Sequence, residues 1–442
     1  MKILFTMIIF INFILADSSN AQNKLIAEDC VKLALKNSNL IKSTELSIVQ
    51  AEKKIAENKA QQLPSVNITG LYTRIGKITS FTMPIGEGGK KRTLKFGTPN
   101  KVNFNINLQF PVFTWGKISD AVEISEIGKK LSEVERKSRI SEVTNQVLRA
   151  YYSVLLNQEI IRLNRKNLKR AENFLKLVER RFKSGGIPRL EFLRARVQFK
   201  NTQNSLYDSR SNLIKSKIFL SRLIGRNYKN INISGSLLYS PVSLDEQKLI
   251  QQALSTRSEL NIINIRQQMC QTQISLAKNS KKPNIFFTSG YNVMNGFDPM
   301  NPERFIDNWN AGVQFVFPVF DGSISNYKKQ EAEIDLQIIN LQKKELKDII
   351  KMQVHQAVIT LKQTENNINT QSENIALAKE ALEIAEKQYQ NGLVSSLDIL
   401  NAQQTLAQSE FLHIRAIFNY IMAKLDLCKT IEDYSLFLNK KD

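Results

Sequence analysis

The chain has 442 residues, 42% of them hydrophobic and 23% charged, the balance of a folded protein rather than a disordered one. Its formal net charge is +21, but the basic residues are scattered along helical stretches instead of clustered, which argues against nucleic-acid binding. Only 17 glycines and 10 prolines occur, so long regular elements are favoured over a loop-rich fold.

Residues 1–21 read as a secretory signal peptide. Lys2 supplies the positive start, Ile3 to Leu15 the apolar run, and Ser19 and Ala21 the small residues before a cut after Ala21. An uncleaved anchor is the alternative, but the run falls short of the roughly 20 apolar residues that span a bilayer as a helix. No later segment offers 18 apolar residues in a row, so a helical membrane protein is not expected. Cys30, Cys270 and Cys428 are an odd set with no CxxC pair, and read as packing residues.

A first repeat is expected over 22–230, with strands at about 65–77 and 101–112 and helices at 117–184 and 189–224. Ser65 to Thr73 places Val66, Ile68, Gly70 and Tyr72 on one face. Lys101 to Phe110 alternates strictly, with Val102, Phe104, Ile106, Leu108 and Phe110 on one side and Asn103, Asn105, Asn107 and Gln109 on the other. Between them lies a loop rich in Gly and Lys (Gly86 to Arg92). Pro111 and Gly116 mark the joint between strand and helix. The following proline-free run carries the first long helix, ended by Gly185 and Gly186 as C-terminal caps.

A second repeat is expected over 231–430, with strands at about 284–294 and 308–320 and helices at 322–391 and 396–428, before a tail at 431–442. Asn284 to Val293 and Trp309 to Phe317 alternate in the same way. Pro318 and Gly322 form the second joint. In the long helix, Val354, Val358, Leu361, Ile368, Ile375, Ala378, Leu382, Ala385 and Tyr389 form one stripe at coiled-coil spacing, with a phase break between Ile375 and Ala378.

The two halves align without gaps around Gly185 and Gly392, 207 residues apart, and FPVF recurs at the same offset (Phe110 to Phe113, Phe317 to Phe320). Each half thus reads as helices, strand, loop, strand, very long helix, turn, helix. Four amphipathic strands cannot close a membrane barrel, and an open edge in lipid costs several kcal/mol per unsatisfied backbone group. A barrel needs at least about eight strands, so several copies must share one. The helices are too polar to lie in the bilayer and must project into the periplasm.

On these residues the chain resembles the TolC family of outer-membrane efflux proteins. The duplicated tip motifs FKSGGIPRLEFLRA and YQNGLVSSLDILNAQ and the FPVF strand exits carry the likeness. The resemblance implies a mainly α fold with a membrane β-barrel: a homotrimer with a 12-stranded barrel, a 12-helix tunnel, and an equatorial region formed here by Asn227 to Asp245 and the tail after Lys429. It implies an outer-membrane channel of a tripartite efflux pump or type I secretion system, in contact with outer-membrane lipid. The partners would be a periplasmic adaptor and an RND, ABC or MFS transporter of the inner membrane.

At the periplasmic aperture, Tyr389 matches the family's latch tyrosine, Val394 stands where an Arg is common, Asp398 matches the first ring carboxylate, and Asn401 replaces the second. Asp398 has two readings: a ring carboxylate that concentrates negative potential, or the acidic residue of a helix N-terminus. The tip residues Gly185, Gly186, Leu190, Leu193, Gly392, Leu397 and Leu400 are the expected adaptor-docking surface. No catalytic constellation, metal set or cofactor motif is expected; His355 and His413 sit singly in helical runs. The competing reading is a periplasmic coiled-coil scaffold or adaptor whose strands form a small soluble domain.

Overall fold

A computed structural model describes residues 24–85, 90–242, 245–298 and 301–438. The signal peptide and its cut, residues 86–89 of the first strand loop, residues 243–244 of the equatorial segment and the last four residues of the tail lie outside the described residues. The elements run α1 (Ala27–Asn37), α2 (Asn39–Ala60), β1 (Ser65–Arg74), β2 (Thr79–Ile85), β3 (Lys90–Phe96), β4 (Asn100–Phe113), α3 (Lys117–Lys183) and α4 (Arg189–Ile224), then α5 (Glu246–Thr256), α6 (Ser258–Asn279), β5 (Asn284–Met294), β6 (Ile306–Val316), α7 (Ile324–Gln390) and α8 (Ser396–Ile431).

Internal duplication is visible in the helix lengths. The first half has helices of 11, 22, 67 and 36 residues, and so does the second. At about 1.5 Å per residue, each long helix extends roughly 100 Å.

The chain divides into two compact units. One comprises residues 46–133 and 262–343 and holds the strands. Its main sheet has the order β1-β4-β5-β6, antiparallel throughout, leaving β1 and β6 as free edges. The register puts Ile68, Ile106, Tyr291 and Trp309 in one row, so the apolar sides of all four strands form a single face. Under this sheet, α3 is tied to α6: Asp120 accepts from Asn279 Nδ2 at 2.7 Å, and Asn58 of α2 donates to Ala121 O at 3.2 Å.

Three strands depart from expectation. The Gly- and Lys-rich loop carries a hairpin of its own, β2 paired with β3 from Thr79↔Phe96 to Ile85↔Lys90. Six strands are therefore described, four of them in the main sheet. The last strand ends at Val316 instead of continuing to 320, because β5 begins at Asn284, opposite Val316, and offers nothing beyond it to pair. Pro318, with no N–H, could not have extended the ladder. Pro111 does lie inside its strand, at a register shift between Pro111 and Phe113, where a missing donor is tolerated.

The other unit comprises residues 1–45, 134–261 and 344–442. Its core joins α1, α3, α4 and α8 through Cys30, Ala34, Val147, Leu148, Val154, Leu220, Ile224 and Leu425, all at 2% exposure or less. On α7, the stripe from Val354 to Ile368 is buried against Ala416, Tyr420, Ala423 and Leu427 of α8. Ala378 and Leu382 continue it against Leu406. An extended segment, residues 231–240, straps this unit. Leu25 N donates to Asn232 O, Tyr151 OH to Ser234 O and Tyr420 OH to Ser240 O, while Tyr239 OH donates to Glu365. The tail is held too, since Tyr434 OH donates to Ser141 O at 3.1 Å.

Candidate functional site: the helix tips and the bare sheet

Both long helices end in the same cap. At the first tip, Gly185 N donates to Phe182 O and Gly186 N to Arg181 O; at the second, Gly392 N donates to Tyr389 O and Leu393 N to Gln388 O. This double bond pattern needs a residue in the left-handed region, and Gly185 (φ 76) and Gly392 (φ 75) supply it. A Cβ at either glycine would meet nothing within 4 Å, so the requirement is backbone conformation, not space.

The returning helices start differently. Pro188 precedes α4, whereas Ser395 caps α8 in a reciprocal capping box: Asp398 Oδ2 accepts from Ser395 N at 2.9 Å and from Ser395 Oγ at 2.7 Å. These bonds, the hydroxyl's first, hold the Asp398 carboxyl below the usual carboxylate range. Asp398 is exposed, as is Asn401 one turn further on. Within one chain, then, Asp398 serves the N-terminus of α8.

The two tips meet in one apolar cluster of Phe174, Val178, Ala195, Tyr389 and Ile399. Tyr389 is buried there, its ring 5.7 Å from that of Phe174. Leu400 packs partly into the cluster, while Leu190, Leu193 and Leu397 are exposed. Val394 also lies against the cluster and supplies no charge. A cation does reach Tyr389 from the other tip. The guanidinium of Arg181, in α3, stands 4.6 Å from the Tyr389 ring centroid and donates to Tyr389 O at 3.0 Å and Gln390 O at 3.1 Å. It thereby stacks on the ring and satisfies carbonyls at the end of α7. Burial pushes the Tyr389 phenol above its ordinary pKa, and the nearby Glu191 carboxylate adds to the shift. The phenol oxygen and Glu191 Oε2 are both buried without a hydrogen-bond partner. Sequence reasoning missed Arg181, although the repeat alignment marks it: its counterpart 207 residues on is Gln388.

At the joints, Gly116 (φ 88) and Gly322 (φ 63) take the left-handed turn from strand to helix. Asp321 then caps α7, accepting from Ser325 N at 3.0 Å, and Lys117 Nζ bonds Lys282 O and Asn284 Oδ1 at 3.0 Å.

The sheet's apolar face is bare within the chain. Trp309 is 73% exposed, Val313 72%, Phe315 63% and Ile68 62%, an apolar patch of the kind that marks a membrane or partner surface. Aromatic rings are spread along this face: Tyr72 and Phe104 lie toward one end, Tyr291 and Trp309 share the row of Ile68 and Ile106, and Phe110, Phe287 and Phe315 lie toward the other end. The other residues of this face are mainly aliphatic, and an outward apolar face is what a lipid-facing barrel surface requires. A strand of 11 residues covers about 36 Å, or about 28 Å at a 40° tilt, which matches a hydrocarbon core.

Among the described residues no group of three or more His, Cys, Asp or Glu could hold a metal, and no helix is long and apolar enough to cross a membrane. All three cysteines are buried and free. His355 Nδ1 lies 2.8 Å from Glu246 Oε1.

Comparison with known proteins agrees with this geometry. Residues 30–226 and 249–429 match the family described as outer membrane efflux protein. The pyoverdine export outer membrane protein OpmQ of Pseudomonas aeruginosa is 21% identical over 415 residues, covering 91% of this chain and 84% of OpmQ. A crystal structure of CusC superposes with a TM-score of 0.74 at 17% identity, covering 92% of this chain and 91% of CusC. The Campylobacter jejuni CmeC outer membrane channel gives a TM-score of 0.73 at 17% identity, covering 94% and 87%. The fold is thus that of the helical-tunnel and β-barrel channels. With the family matched across both repeats, the chain belongs to the outer membrane efflux protein family, as an outer-membrane channel subunit that reaches into the periplasm.

Proposed function

We propose that three copies of this chain form a passive exit duct, closing a 12-stranded barrel above a 12-helix tunnel. One observation carries the reading: a four-stranded sheet with two unpaired edges and a bare apolar face, which lipid and neighbouring copies would complete. The repeats at 22–230 and 231–430 then contribute two strands and two tunnel helices each. The chain's own residues open and shut the passage, and transport energy comes from an inner-membrane RND, ABC or MFS transporter through a periplasmic adaptor.

The adaptor docks on the tips, where Gly185, Gly186 and Gly392 make the turns and Leu190, Leu193 and Leu397 are exposed. Asp398, Asn401 and Tyr389 line the aperture, a single ring carboxylate making the entrance less cation-selective than two would. The names of relatives, pyoverdine export and cation efflux among them, point to small exported solutes as cargo.

The test is fractionation followed by reconstitution. The mature chain must need detergent for release from outer membranes, and the purified complex must conduct in planar bilayers. Release as a soluble species without conductance would refute the duct and favour a periplasmic scaffold.

A further inference from the structure

The sheet's second face differs from an ordinary polar surface. Its register stacks two rows of side chains across all four strands. One row holds Thr69, Asn105, Asn292 and Asn308; the next holds Asn67, Asn107, Gly290 and Asn310. Each row therefore carries three asparagines, and neither carries a charge. The nearest charge on this face is Lys101, two positions beyond Asn103.

These amides engage one another across the strands. Asn292 Nδ2 donates to Asn103 Oδ1 at 2.9 Å and also to Asn105 Oδ1. The Asn292 carbonyl oxygen is buried without a partner. Gly290 is open between Asn107 and Asn310, whose side-chain oxygens would lie 3.3 and 3.1 Å from a Cβ placed there. Glycine thus lets side-chain oxygens from β4 and β6 crowd in over β5 in the second row.

If the duct reading holds, the apolar face meets lipid and this face lines the barrel lumen. An amide both donates and accepts, so it can replace the water partners of a polar solute one for one. Without fixed charge it neither concentrates nor repels ions. We propose that the two asparagine rows make the outer-membrane section of the duct a charge-indifferent, hydrogen-bonding passage, suited to neutral cargo bearing several hydroxyl or amide groups. The proposal rests on the duct reading and adds the cargo class and the residues that set it.

The experiment uses the full-length mature protein in planar bilayers under a KCl gradient, with maltohexaose as the neutral probe. Asn105→Asp and Asn105→Lys should move the K+/Cl− permeability ratio in opposite directions, each by about threefold or more, as expected for a charged ring in a pore. Asn308→Leu should weaken current block by maltohexaose about threefold or more, since a row that loses an amide loses hydrogen bonds to the sugar. Open pores whose ratio is the same in both charged variants, or whose sugar block is unchanged in Asn308→Leu, would overturn the amide rows and leave the duct standing. A wild-type protein that does not conduct would overturn both.

Discussion

Arg181→Ala removes a cation that joins the two tips within a chain. Its guanidinium contributes a ring contact at 4.6 Å and two bonds to the carbonyls that end α7. A half-exposed cation–π contact is worth about 0.5–1 kcal/mol. Hydrogen bonds from a charged donor add about 1.5 kcal/mol or more, less where water competes, as at Gln390. A sum of about 2 kcal/mol per chain shifts a closed-to-open equilibrium about thirtyfold, since 1.4 kcal/mol is tenfold. The prediction is that Arg181→Ala raises open probability in single-channel recordings and admits large antibiotics that intact cells exclude. Arg181→Lys keeps the charge but loses the paired donors, and should fall between. An open probability unchanged in Arg181→Ala, in trimers that form normally, would refute the claim that this contact holds the tips together.

Three further outcomes are expected. Gly392→Val forces a β-branched residue to φ 75, so it should abolish export while outer-membrane trimers persist; normal drug resistance in that variant would contradict a role for the turn. Asp398, whose folded pKa is depressed, contributes stability that is present above its unfolded value near 3.8 and is lost as pH falls through the folded value. Proteolysis at the second tip should therefore rise only on acidification below about pH 3.8, and Asp398→Asn should remove that step; a pH-independent cleavage rate in the wild type would refute it. Burial pushes the Cys30 and Cys428 thiols up to about 12, so both should resist maleimide at pH 8 until the protein is denatured, and rapid native labelling would show the cores to be open.

Much of the fold was legible because its periods are long. The stripe from Val354 to Tyr389 and the strict alternation of Lys101 to Phe110 are patterns that only one kind of element satisfies, and duplication let each half check the other. The β2–β3 hairpin was not legible. Its strand Lys90–Phe96 reads KKRTLKF, too basic to show alternation, and it has no counterpart among the described residues of the second half. Arg181 escaped for a related reason: it lies 208 positions before Tyr389 in the chain and meets its ring only through tertiary packing from α3. Asp398 was legible as the acidic residue of a helix N-terminus, while its bonds to Ser395 came only from the structure; one carboxylate thus serves its own helix.

The decisive measurement concerns the free edges of the sheet. Val66→Cys on β1 and Val313→Cys on β6, combined in one chain whose native cysteines are buried, should be joined by a short bis-maleimide in outer membranes. A ring of three copies predicts covalent dimers and trimers and nothing larger. Monomers alone, recovered without detergent, would contradict a barrel shared between chains.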